Sequence, residues 1–298
     1  AINLSDAPST SDTSILVRQP ATDVYAQVIS DLIDAKNELD NSGLPTGRAS
    51  SIAAQGILGK VYMQMGDFVN AETQLAAVVN GASGAGIELM ANFADVFGAG
   101  TDLNKEIIYA TQISGSIALT DYSGTTFPLW SNGGDTKSDE NPITQNLVDA
   151  FDNEGDVVRK AATVYIDAAA ANNRLAAKYG TGAAEQDYIE LRLADVILLY
   201  AEALNATGGD ALTQLNKIRS RAGLDDSTAV STADIAQAIA DERRLELAFE
   251  GHRWFDLVRT GTVDAEMGET INSNYHLFPV PNSEILASFG VITQNPGY

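Results

Sequence analysis

The chain has 298 residues, 45% apolar and 19% charged, with 18 Lys and Arg against 40 Asp and Glu for a net charge of −22. That length can bury roughly three quarters of the unfolded surface, which excludes wholesale disorder. The acidic balance repels phosphate backbones and anionic lipid and so argues against nucleic acid as a partner, while the absence of Cys removes disulfides, thiolate metal sites and Cys nucleophiles.

The opening AINLSDAPSTSDTS is polar and lacks the basic and apolar regions of a signal peptide, and no later run approaches the apolar length of a membrane span. From Thr22 to Leu39, Tyr25, Val28, Ile29, Leu32, Ile33 and Leu39 recur at helical spacing and predict an amphipathic helix. NSGLPTG at 41–47 breaks it, and a second helix begins near Ser50. From Leu58-Gly59 the pattern runs through Tyr62, crosses a turn at Gly66-Asp67, and continues with Ala71, Leu75 and Val78. This is the tetratricopeptide spacing, in which small residues let two helices approach and Tyr and Leu fill the gap between them. GASGAG at 81–86 reads as a connector, and EIIYATQ at 106–112 as a strand.

Residues 113–142 form the longest irregular stretch and contain Tyr122, Phe127 and Trp130. Long loops inside compact domains are often functional. Further on, Tyr200, Ala211, Leu215 and Ile218 repeat the second half of the hairpin spacing across TGGD at 207–210, a turn two residues longer than the first. A helix is predicted from about Thr232 to Phe249 with Gly251 as its cap, then a short helix, then an extended tail through Pro279 and Pro281.

No motif for chemistry emerges. GASGAG misses the nucleophile-elbow and dinucleotide spacings, and there is no P-loop lysine. DNEGD at 152–156 lacks the central Gly and later Glu of a calcium loop and reads as a solvated turn. His252 lacks the second His of a zinc helix and reads as structural; neither a metal nor a cofactor is expected. No local feature singles out a glycosidase carboxylate pair among the 40 acids. Arg243, Glu246 and Glu250 are placed to interact along one helical face, with Leu245, Phe249 and Trp254 as core.

The stretch ERRLELAFEGHRWFDLVRTG at 242–261 resembles the signature of the SusD/RagB family, the surface glycan-binding lipoproteins of Bacteroidota. LGKVYMQMGDFVNAE, NKEIIYATQ, NPITQNLVDAFDNEGD, RLADVILLYAEALNATGG, FPVPNSEI and the terminal TQNPGY are similar to further family segments in the same order. With the helical pattern, the resemblance implies a mainly all-α fold: tetratricopeptide-like hairpins packed against further helices, with long irregular loops and few short strands. A single domain over 1–298 is expected, with the first helix and hairpin at 22–80, a candidate ligand loop at 113–142, and the second hairpin and signature region at 188–298.

The resemblance further implies a non-enzymatic function. Family members hold oligosaccharide or polysaccharide at the extracellular face of the outer membrane and pass it to a SusC-like TonB-dependent transporter. They are anchored through a lipidated N-terminal Cys that this sequence lacks, and they are longer, so an N-terminal part with the anchor and some binding loops is expected to be missing here. Sugar rings stack on aromatics while amides and carboxylates hold their hydroxyls. Tyr122 and Trp130 are the candidate platforms, Phe127 a neighbouring aromatic, and Asn132 and Asp135 the candidate hydrogen-bonding partners. The alternative for the loop is that Phe127 and Trp130 pin it to the helices. The alternative for the protein is a helical interaction scaffold without glycan binding.

Overall fold

The computed structural model describes residues 16–42, 46–98, 103–112, 143–166, 174–179 and 187–298. Helices α1 (Ala21–Glu38), α2 (Ser51–Met65) and α3 (Phe68–Gly81) precede strand β1 (Ile107–Thr111). Then come α4 (Gln145–Glu154), α5 (Val157–Thr163), β2 (Val164–Ile166), β3 (Arg174–Ala176) and β4 (Tyr188–Arg192). The chain continues as α6 (Leu193–Thr207), α7 (Ala211–Arg221), α8 (Thr232–Glu246), α9 (Arg253–Thr260), α10 (Val263–Met267) and α11 (Asn282–Ala287). No helix among the described residues is long and apolar enough to cross a membrane. The chain divides into two compact units: Ala35–Arg253, and a smaller one joining the chain up to Asp34 with Trp254–Tyr298.

In the larger unit, α2 and α3 form the predicted hairpin. Ser50 caps α2 by accepting the Ala53 N–H at 3.2 Å, Gly66 ends it in the left-handed region at φ 73°, and Asp67 caps α3 through the Asn70 N–H. The helices meet where Gly59 faces Leu75. A Cβ on Gly59 would lie 2.5 Å from Leu75 Cδ2 and 2.7 Å from its Cγ, and Leu75 is fully buried. Gly59→Ala therefore overpacks the hairpin and is expected to lower stability by about 1–3 kcal/mol, read as a fall in the urea midpoint with an unchanged slope.

The second hairpin, α6 and α7, uses the same devices, with Gly208 left-handed at φ 85° and Asp210 capping α7 through the Thr213 N–H at 3.1 Å. Its connection is one residue longer than the first rather than two, because Thr207 still belongs to α6. Helix α6 is buried on nearly every side, from Leu193 through Leu204, as expected of an apolar helix that packs between others. It contacts α3, α7 and α8 and forms the centre of the main core.

Among the described residues two small antiparallel pairs accompany the helices, β1 with β4 and β2 with β3. In the first, Ile107 pairs with Arg192 and Thr111 with Tyr188. Strand β4 runs directly into α6, so Arg192 both ends the strand and stands at the residue before the helix, and the neighbouring Glu106 comes within reach of its guanidinium.

Helix α8 ends at Glu246, three residues before the predicted end. The physical reason lies in the carbonyls: Lys178 Nζ donates to those of Glu246 (2.7 Å) and Ala248 (2.9 Å), and Arg192 Nη2 also donates to that of Glu246 at 2.9 Å. Side chains thus satisfy groups that further helical N–H donors would otherwise take. The chain then reverses through Phe249 at φ 66° and Gly251 at φ 81°. For Phe249 that left-handed conformation carries a cost of about 1–2 kcal/mol, which its packing against two apolar clusters offsets.

Candidate functional site

The five residues predicted to bind sugar, Tyr122, Phe127, Trp130, Asn132 and Asp135, lie outside the described residues. The structure instead reveals a buried network of charges in the larger unit. Arg192 is its centre, and all five guanidinium N–H groups are used. Nε donates to Glu250 at 2.6 Å, Nη1 to Glu106 at 2.7 Å and Glu246 at 2.6 Å, and Nη2 to the Glu246 carbonyl and to Glu250 at 2.7 Å. Arg221 bonds Glu106 at 2.7 Å and also Glu246. Arg159 reaches Asp156 (2.5 Å), Glu242 (2.6 Å) and Glu246 (3.1 Å). Lys178 completes the set at 2.5 Å from Glu250. Aromatic faces wall it: Lys178 Nζ lies 4.7 Å from the Phe97 centroid and 5.2 Å from that of Phe93, a cation–π arrangement that helps hold a dehydrated cation.

This corrects two expectations. Arg243, Glu246 and Glu250 do not pair along one helix: Arg243 reaches Asp195 at 2.8 Å on α6, and Glu250 lies beyond the end of α8. DNEGD is not a solvated turn throughout: Asp152 to Glu154 end α4, Gly155 turns the chain at φ 70°, and Asp156 is buried as the cap of α5 and partner of Arg159. Burial lowers the pKa of His252 from 6.5, against the pull of Asp195. Trp254, in the smaller unit, is half-buried and meets His276 edge-on at 6.4 Å.

The network fixes a pH dependence. Burial raises the pKa of Glu246, but Arg221, Arg192 and Arg159 outweigh it and hold the carboxyl well below 4.5. Asp195 is likewise held well below 3.8, burial being outweighed by Lys60, His252 and Arg243. Glu242 goes the other way, because burial prevails over Arg159. A carboxylate whose pKa is depressed by folding contributes stability above its unfolded pKa and loses it as pH falls through the folded value. Stability is therefore expected to decline below about pH 5, by about 1.4 kcal/mol per pH unit for each depressed carboxylate, with Glu242 offsetting part. Thermal melts across that range check the sign: a midpoint that rises on acidification would contradict it, and Glu246→Gln should flatten the slope.

Among the clefts that described residues line on the larger unit, two stand out. One, of about 650 Å³, is lined by Glu154, Asp225, Asp234, Asp241 and Glu242 with Arg219, and that Arg is already bonded to Glu154, Glu242 and the Asp225 carbonyl. The other, of about 220 Å³, lies beside Arg48 and Lys105. In the smaller unit, Phe255 and Phe278 lie 6.1 Å apart and are 53% and 62% exposed, so together they form an apolar patch.

Sequence reasoning missed the charge network, although a signal was present. Arg192 and Asp195 interrupt the apolar run IELRLADVILL, and charges in such a run are buried only with partners. What those partners are is a tertiary fact: Glu106, Glu246 and Glu250 for Arg192, and Lys60 and Arg243 for Asp195, all on distant segments.

Comparison with known proteins agrees with this architecture. A SusD-like protein of Formosa agariphila is 27% identical over 341 aligned positions, which cover 97% of this chain and 67% of that protein. The starch-binding protein SusD of Bacteroides thetaiotaomicron is 34% identical over 118 positions, 36% of this chain and 21% of that protein. The solved structure of a laminarin-binding SusD-like protein superposes with a TM-score of 0.81 at 27% identity, covering 100% of this chain and 74% of its own. The chain spans about half to two thirds of the length of the curated relatives it aligns with most fully. Residues 71–276 match the model of the SusD family. With more than half its length in that match and the helical-hairpin fold in place, the chain belongs to the SusD family.

Proposed function

We propose that this protein binds oligo- or polysaccharide without cleaving it, at the extracellular face of the bacterial outer membrane, and delivers it to a SusC-like TonB-dependent transporter. The observation that carries this reading is the likeness along the whole chain to a laminarin-binding SusD-like protein. The stretch shared with a starch-binding relative adds to it. Tyr122 and Trp130 serve as stacking platforms with Phe127 beside them, and Asn132 and Asp135 hold sugar hydroxyls.

Binding without hydrolysis is supported by the same likenesses, to proteins named for binding laminarin and starch. The exposed Phe255 and Phe278 support the partner half of the reading, since apolar side chains grouped at a surface mark contact sites.

Incubation with starch or laminarin, followed by assays for retention and for new reducing ends, tests the proposal. Retention without new ends is the expected result. New reducing ends would replace it with a glycoside hydrolase. Failure to retain any glycan, with a transporter still co-purifying from outer membranes, would leave the interaction scaffold.

A further inference from the structure

The cleft of about 220 Å³ is bounded by the start of α2, the segment before β1 and the turn after α3. Among the described residues that line it are two cations, Arg48 and Lys105, and no carboxylate, in a chain where acids outnumber bases 40 to 18. Elsewhere cations are engaged by acids: eight reach Asp or Glu from Arg159 to Arg259. Arg48 has no hydrogen bond or ion pair among the described residues. Lys105 has only Glu88 at 3.5 Å, with both side chains more than half exposed, a pair of little worth that a ligand can displace.

The backbone carrying Arg48 is held in place. The Gly47 carbonyl accepts the Ala110 N–H of β1 at 3.0 Å. Gly47 is buried at φ 79°, where a Cβ would lie 2.8 Å from Leu103. The remaining polar lining is biased towards donors. Asn41 accepts the Ile52 N–H at 2.8 Å through Oδ1, which turns its NH2 outward to donate. Ser50 accepts the Ala53 N–H and keeps its hydroxyl proton to give. A cleft rich in spare donors and free of carboxylates calls for an acceptor-rich, negatively charged group. Its volume falls below the roughly 300–1,000 Å³ of sites for larger ligands, so it fits one sugar unit or less, and Ile52, Ile87 and Ile107 give that unit an apolar wall.

We infer that this cleft is a subsite for a single acidic sugar unit, one bearing a carboxylate or sulfate, with Arg48 as the group that takes the oxyanion. The inference rests on the glycan-binding reading and extends it to anionic glycans through residues outside the 113–142 loop. Titration calorimetry of the whole chain at low salt, using methyl glucuronide, glucose 6-sulfate, methyl glucoside and inorganic sulfate as probes, tests it. At least one acidic sugar should bind ten-fold or more tighter than methyl glucoside, weaken with added salt, and lose ten-fold or more in Arg48→Ala, whose melting temperature stays that of the parent because Arg48 is exposed. Which acidic sugar binds separates carboxylate from sulfate. Equal binding of the neutral sugar, no binding of either acidic sugar, an unchanged Arg48→Ala, or inorganic sulfate binding as tightly as the sugars would each overturn the subsite. If neutral polysaccharide is retained while the acidic probes fail, only the subsite falls; if both fail, the glycan-binding reading falls with it.

Discussion

Replacing Arg192 by Met is expected to destabilise the larger unit by about 3–5 kcal/mol, the usual effect of removing one partner from a buried ion pair. Met occupies most of the volume, so the loss is chiefly electrostatic. Glu106, Glu246 and Glu250 together lose five hydrogen bonds in a region closed to water. At about 2–4 °C per kcal/mol for a unit of this size, the melting temperature should fall by roughly 6–20 °C. Lys178→Met is the informative comparison. Burial, partly opposed by Glu250, lowers the Lys178 pKa to about 8, so its cation is held at a cost near neutral pH and its removal should be the milder change. Equal or larger loss in Lys178→Met would mean that the network does not centre on Arg192.

Trp130→Ala is expected to weaken glycan binding by at least about 30-fold, the effect of losing an aromatic hot spot of about 2 kcal/mol or more, with thermal unfolding nearly unchanged. Stacking on an indole face supplies contact area and orientation together. The two readings of this residue predict opposite pairs of results. A stacking platform loses binding and keeps its melting temperature; a pin between loop and helices loses melting temperature. Titration calorimetry and a thermal melt on the same preparation separate them.

Local structure was the part of the fold most legible in the sequence. The α2–α3 hairpin could be read because its determinants are neighbours in the chain: Gly59 facing Leu75, the left-handed Gly66 and the capping Asp67. The end of α8 could not, because it is set by Lys178 and Arg192 donating to its last carbonyls from segments far away in sequence. The 242–261 stretch identifies the family, and its Glu residues prove structural, closing ion pairs with Arg159, Arg192 and Lys178. The aromatic loop was legible only as composition, a Tyr, a Phe and a Trp among Gly, Ser and Asp, which names candidates without giving their geometry.

The central claim is that this chain holds a glycan, and the most direct test is its migration through native gels cast with a panel of polysaccharides, starch and laminarin included. Retardation by at least one of them, relative to a non-binding protein run alongside, is the predicted result. Unchanged migration across neutral and acidic polysaccharides alike would contradict it.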